Sequence, residues 1–165
     1  MKNNNIIQYN SFNRETMQRV LNPKPWLLER LIPCRIDIKS DGKKELDFPI
    51  GWTNFNIPVD QLNADRLEIN AQAVRTGNGI VMVDIDTKDL SALDRDISDW
   101  VEERLAMIDT FTVETTKGYH FYFKCDENMA NQVRVSNHVD IRADGGCGII
   151  ATNNSEFSYR VICDI

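Results

Sequence analysis

No apolar run in this 165-residue sequence approaches the roughly 20 residues needed to span a bilayer, so no membrane partner is expected. The opening Met-Lys-Asn-Asn-Asn-Ile-Ile-Gln lacks the apolar core of a secretory signal, and a cytoplasmic address is the expectation. The four cysteines, Cys34, Cys125, Cys147 and Cys163, contain no C-x-x-C pair. Neither a zinc site nor a disulfide framework is expected, and the cysteines read as ordinary strand or core residues. Repeats are absent, and the Asn-rich start is the one biased stretch. Positive charge is scarce: 19 Lys and Arg face 25 Asp and Glu, a net charge of -6. That argues against a non-specific clamp on duplex DNA, but not against a site whose acids are neutralised by divalent ions.

What remains is ordinary for one globular domain: 42% hydrophobic and 27% charged residues. Residues 13–21 read as a short helix stopped by Asn22-Pro23, and Pro25 opens a second over 26–31. Residues 1–30 form an N-terminal helical segment on this reading, and residues 31–165 the main domain. A strand over 31–38 and a Lys-rich turn over 39–44 follow. Residues 49–64 are loop-like, packed down by Trp52 and Phe55, and 65–73 suit either a short helix or a strand. The clearest helix spans 91–108, with Ser91 and Asp94 resembling a capping box and Leu93, Ile97, Trp100, Val101, Leu105 and Ile108 forming one apolar stripe. Further strands are expected at 111–115, 119–125, 139–142, 148–151 and 159–163. The order predicts an α+β sheet with helices packed on its apolar face.

Three of these strands carry the chemistry: Gly79-Ile-Val-Met-Val-Asp-Ile-Asp86, Tyr119-His-Phe-Tyr-Phe-Lys124 and Val139-Asp-Ile-Arg-Ala-Asp-Gly-Gly146. Residues two apart in a strand share a face. Asp84 with Asp86, His120 with Tyr122 and Lys124, and Asp140 with Arg142 therefore belong to one face. Val81, Val83, Ile85, Phe121, Phe123, Val139 and Ile141 belong to the other, a core. The polar face is expected to be exposed, as a catalytic floor. Carboxylates about 6.6 Å apart along a strand can lean toward one metal or bridge two, and hard oxygen donors suit Mg²⁺ or Mn²⁺. The turn Thr115-Thr-Lys-Gly118 offers hydroxyls, backbone N–H groups and the Lys117 charge to a phosphate. Arg142 supplies a fixed positive charge.

These stretches, in this order, resemble the bifunctional DNA primase/polymerase N-terminal domain of the archaeo-eukaryotic primase superfamily, found in replication proteins of phages, plasmids and integrated elements. The resemblance is strongest over residues 76–152. Upstream, Lys43-Lys44 and Gly51-Trp52 are similar to the family's basic turn and Gly-aromatic pair; downstream, Tyr159-Arg160-Val161 is similar to its closing strand. The family's motifs fall on Asp84 and Asp86, then Thr115, Thr116, Gly118 and His120, then Asp140, Arg142, Gly145 and Gly146. Lys117 stands where the family often has glycine, Cys147 replaces an aromatic, and Thr152-Asn-Asn-Ser155 replaces a Pro-Pro-Ser stretch.

The resemblance implies an RRM-like antiparallel or mixed sheet with an additional αβ unit. It implies that Asp84, Asp86 and Asp140 hold two divalent ions, and that His120 contacts the phosphates of an incoming dNTP or NTP. Thr115, Thr116, Lys117, Gly118 and Arg142 would complete the nucleotide site. Single-stranded DNA template or primer–template would lie near Tyr122, Lys124, Lys43 and Lys44. Relatives continue into a helical subdomain and often a helicase, which makes such a domain an expected partner. The expected activity is template-directed nucleotidyl transfer. The rivals are a nucleotide- or single-strand-binding replication module without catalysis, and a metal-dependent phosphodiesterase built on the same acids.

Overall fold

A computed structural model describes residues 25–107 and 109–163. The expected helix over 13–21 and the position of Ile108 lie outside the described residues. Among the described residues, ten strands and two α-helices follow in chain order: α1 (Pro25–Leu28), β1 (Leu31–Ile38), β2 (Lys44–Asp47), β3 (Ala71–Arg75), β4 (Ile80–Ile85), α2 (Arg95–Met107), β5 (Thr112–Glu114), β6 (Tyr119–Lys124), β7 (Gln132–Ser136), β8 (Val139–Arg142), β9 (Cys147–Thr152) and β10 (Arg160–Cys163). No helix among them is long and apolar enough to cross a membrane.

The strands form two sheets, ordered β2-β1-β3-β9 and β10-β5-β6-β4-β8-β7. Every pairing is antiparallel. Because β6 lies antiparallel to both β4 and β5, β4 and β5 run parallel with β6 between them, and α2 makes the crossover. This split βαβ arrangement places the α2 connection on one face of the six-stranded sheet.

Each face of that sheet is buried by a different partner. Ile85, Phe121 and Val139 pack with Leu93 and Val101, and Trp100, Ile97 and Leu105 add to this cluster. The Trp100 ring meets Phe121 edge-on at 5.2 Å. The opposite face was expected to be exposed. Instead Ile80, Met82, Val113 and Tyr122 join Ile32, Ile36, Val74, Ile149 and Ile150 of the four-stranded sheet in a second core. Gly148 on β9 shows how closely the sheets approach. A Cβ there would lie 2.3 Å from Met82 Sδ and 2.4 Å from the Tyr122 hydroxyl. Fully burying one such side chain contributes about 1.5–3 kcal/mol, enough for the second sheet to cover most of a face that carries polar residues at one end.

The helix over 91–108 is shorter than expected. Asp89 accepts a hydrogen bond from the Ser91 N–H and caps a 3₁₀ turn, Leu90–Ala92, and the α-helix starts only at Arg95. Asp94 does not close a capping box with Ser91; its carboxylate accepts from the Ser136 hydroxyl. The helix opened by Pro25 ends at Leu28, with Leu27 buried and Trp26 edge-on to Phe111 at 5.4 Å. Lys44 belongs to β2 rather than to the turn, residues 71–75 resolve as β3, and β7 is a strand that the pattern did not indicate. Trp52 stacks on Phe48 at 4.4 Å. Phe55 lies against the guanidinium groups of Arg30 and Arg75 at 4.9 and 4.5 Å. Among the described residues no cysteine forms a disulfide.

Candidate active site

Register brings the acids together. Asp84 on β4 pairs with His120 on β6 and with Asp140 on β8, so the three form one row across the sheet. Directly opposed residues share a face with Cβ atoms about 4.5–5.5 Å apart. Asp86 lies just past the end of β4, and its N–H donates to the His138 carbonyl at 2.9 Å. One carboxylate oxygen from each of Asp84, Asp86 and Asp140 lies within 4.8 Å of the others.

Such a cluster is electrostatically costly without a cation. The Asp84 carboxyl is pushed up to about 7, first by burial and next by the Asp86 charge. Asp140 adds to the shift, while Arg142 and Lys44 oppose it. Oxygens bound to one Mg²⁺ at about 2.1 Å lie at most about 4.2 Å apart. The observed spread therefore needs only a small closure around one ion, or bridges two ions about 3.5–4 Å apart. The donor set, three hard carboxylates, fits a divalent oxygen-seeking cation.

The surroundings fix these carboxylates. Asp140 Oδ1 accepts from the Arg134 N–H at 2.6 Å, and its Oδ2 accepts from Arg142 Nη2 at 2.8 Å. Arg142 Nε also lies 3.9 Å from Asp84 Oδ2. On the other flank, His120 Nε2 is 3.5 Å from Asp84 Oδ1. His120 is 7% exposed, and its pKa is lowered to about 3. Burial is the main cause; the Lys44 and Arg142 charges reinforce it, and the Ile149 backbone partly offsets it. His120 is therefore neutral near pH 7, and its Nδ1 is buried with no hydrogen-bond partner among the described residues. Lys44 arrives from the other sheet: its Nζ donates to the Tyr159 hydroxyl at 3.2 Å, and the Tyr159 ring lies 6.2 Å from that of His120.

The model of the bifunctional DNA primase/polymerase N-terminal family matches residues 52–164. The chain belongs to this family. No curated protein matches it.

Residues of the primase/polymerase domain expected at the site divide into those the fold gathers and those it does not. Thr115, Thr116, Lys117 and Gly118 form the turn between β5 and β6, beside the end of β4. Gly118 passes so close that a Cβ would sit 1.8 Å from the Ile85 carbonyl oxygen. The Thr115 hydroxyl accepts from the Lys117 and Gly118 N–H groups at 3.3 and 2.9 Å. These N–H groups are thus already used within the turn, and what it offers outward is the exposed Lys117 side chain. The Thr116 hydroxyl donates to the Ser158 carbonyl and accepts the Ser158 N–H, tying the turn to the segment before β10.

Tyr122, expected near the template, is not exposed on the sheet face. It is 3% exposed, wedged between the sheets with its hydroxyl donating to Gly148 O at 3.4 Å. Lys124 is exposed but pairs with Ile80, four residues along β6 from His120, or about 13 Å at strand spacing. Lys43 sits in the exposed turn with Asp41, 3.3 Å away. Of the two lysines, only Lys44 reaches the site. Sequence reasoning assigned no role to Tyr159 beyond its strand, nor to Arg134 and His138. Tyr159 does fall in the closing-strand motif, which was the available signal for it.

Proposed function

We propose that this chain is a template-directed nucleotidyltransferase, a DNA primase/polymerase domain on an RRM-like core, working with Mg²⁺ or Mn²⁺. One observation carries the reading. Asp84, Asp86 and Asp140, from two adjacent strands, converge within 4.8 Å in the row that also holds His120. Family membership supports it.

On this reading the three aspartates hold two divalent ions. Ions there would lower the pKa of the attacking 3′-hydroxyl and neutralise charge on the triphosphate and departing pyrophosphate. His120, kept neutral by burial, orients phosphate oxygens as a hydrogen-bond donor without adding charge. Lys44 supplies positive charge above His120, and Lys117 supplies it from the β5–β6 turn. Arg142 braces Asp140 and Asp84, and is shared between the acids and the phosphates. Thr115 and Gly118 build the turn, and Thr116 anchors it to the segment before β10. The setting, on the resemblance, is the replication machinery of a phage, plasmid or integrated element, with a helicase or helical domain working alongside.

Primer extension on a single-stranded template tests this, run with dNTPs and with NTPs in Mg²⁺ or Mn²⁺. Incorporation is expected from the wild type. The double variant Asp84→Ala, Asp86→Ala should lose it by about 10³-fold or more. Nucleotide binding without incorporation would favour a non-catalytic module. Degradation of labelled strand without added nucleotide would favour a phosphodiesterase.

A further inference from the structure

The β7–β8 hairpin has features that the acids alone do not require. Four residue steps along β7, from Gln132 to Ser136, match two along β8, from Ile141 to Val139. β7 therefore bulges, leaving Val133 and Val135 exposed. Arg134 in this bulge and His138 in the turn both adopt left-handed backbone conformations, φ 55° and 60°. Such conformations cost roughly 1 kcal/mol or more for a residue with a Cβ.

Both residues hold an aspartate through the backbone. The Arg134 N–H donates to Asp140, and the His138 carbonyl accepts from Asp86. Glycine would make either bond with less strain, so these bonds do not explain an arginine and a histidine. Both residues are exposed, and together with Val133 they line a cleft of about 760 Å³ whose wall includes Asp86 and Asp140.

Nucleotidyl transfer is an in-line displacement: the 3′-oxygen bonds to phosphorus as the bond to pyrophosphate breaks on the opposite side. With Lys44 and His120 receiving the triphosphate on the β6 flank of Asp84, the attacking hydroxyl must arrive from the β8 flank, where this cleft opens. We propose that the cleft is the primer subsite, with Arg134 and neighbouring His138 binding the terminal phosphodiesters of the primer strand. The proposal rests on the nucleotidyltransferase reading above.

Arg134→Gly separates the two roles of this position: it keeps the N–H bonded to Asp140, suits the left-handed backbone and removes only the side chain. Arg134→Lys restores a charge. Binding of labelled primer–template is followed by fluorescence anisotropy over a salt series, and KM for primer–template and for nucleotide is measured separately. Arg134→Gly should weaken primer–template binding about tenfold for all sequences and reduce the slope of log affinity against log salt by about one. Mn²⁺ affinity and nucleotide KM should stay within twofold, and Arg134→Lys should recover most of the loss. Unchanged primer–template affinity and salt slope in Arg134→Gly would overturn the proposal. So would an equal loss of affinity for bare single-stranded template, which would place template in the cleft. A wild type that incorporates no nucleotide marks instead the failure of the nucleotidyltransferase reading. The anisotropy arm needs no turnover and still decides the fate of the subsite.

Discussion

Asp84 stands between His120 and Asp140 in the row across the sheet, and its titration sets how the site responds to pH. Its folded-state pKa is raised from 3.8 to about 7. The folded, cation-free protein therefore holds this proton more tightly than the unfolded chain. The stability that Asp84 contributes is complete below about pH 4 and is lost as pH rises through about 7, at up to about 1.4 kcal/mol per pH unit. A bound cation competes with the same proton. Mn²⁺ affinity, measured calorimetrically, should rise about tenfold per pH unit up to about pH 7 and level off above it. The rise in melting temperature on adding Mn²⁺ should accordingly be larger at pH 8 than at pH 6. A flat affinity from pH 5 to 8 would contradict the assignment of Asp84 as a ligand. The alternation Val-Asp-Ile-Asp was enough to put Asp84 and Asp86 on one face, because strand period depends on backbone geometry alone. It could not show that Tyr122, on that same face, is buried: what covers a face is decided by another sheet distant in sequence. Lys44 and Tyr159 reach His120 from such remote segments, and only coordinates show their convergence.

Elements with a strong period were legible, while those shaped by local exceptions were not. β4, β6 and β8 follow their alternation, and the apolar stripe of α2 meets the sheet through Trp100 and Val101. β7 escaped detection because it is a bulged edge strand, exposed over most of its length, so burial imposes no alternation on Gln-Val-Arg-Val-Ser. The start of α2 was misplaced because residues 90–92 form a 3₁₀ turn capped by the Asp89 carboxylate, and the α-helix begins only at Arg95. The turn between β5 and β6 is the element most sensitive to a small change. Gly118→Ala would force a Cβ against the Ile85 carbonyl, and that backbone leads directly into Asp86. The expected cost is roughly 3 kcal/mol, read by urea unfolding, together with weaker cation binding. Wild-type stability for Gly118→Ala would show that the turn gives way easily and does not lock the end of β4.

At the scale of the whole molecule, the expected single sheet with an open floor became two sheets with a site at the rim of their interface. The four-stranded sheet covers the row of Met82 and Tyr122 and contributes Lys44, while the acids remain at the uncovered end. Phe111 helps to fasten this arrangement, contacting Trp26 of α1 and Tyr122 of β6 edge-on at 5.4 and 5.3 Å. Phe111→Ala should destabilise the fold by about 3–5 kcal/mol, measured by denaturant unfolding. A loss below about 1 kcal/mol would mean that the sheets do not depend on this core. The α+β class and the shared face of Asp84, Asp86 and Asp140 were thus readable from the sequence, because both follow from local period. The covering of the floor was not, since it arises from contacts between β9, with its Gly148, and strands far away in the chain. The central claim concerns the acids themselves, and the most direct measurement is incorporation of a labelled nucleotide into a primer by the wild type and by Asp84→Asn, with Mn²⁺ and after chelation. The account predicts rapid incorporation by the wild type, abolished by chelation and reduced at least about 10²-fold in Asp84→Asn. Equal rates for the two proteins, or incorporation that survives removal of divalent ions, would contradict it.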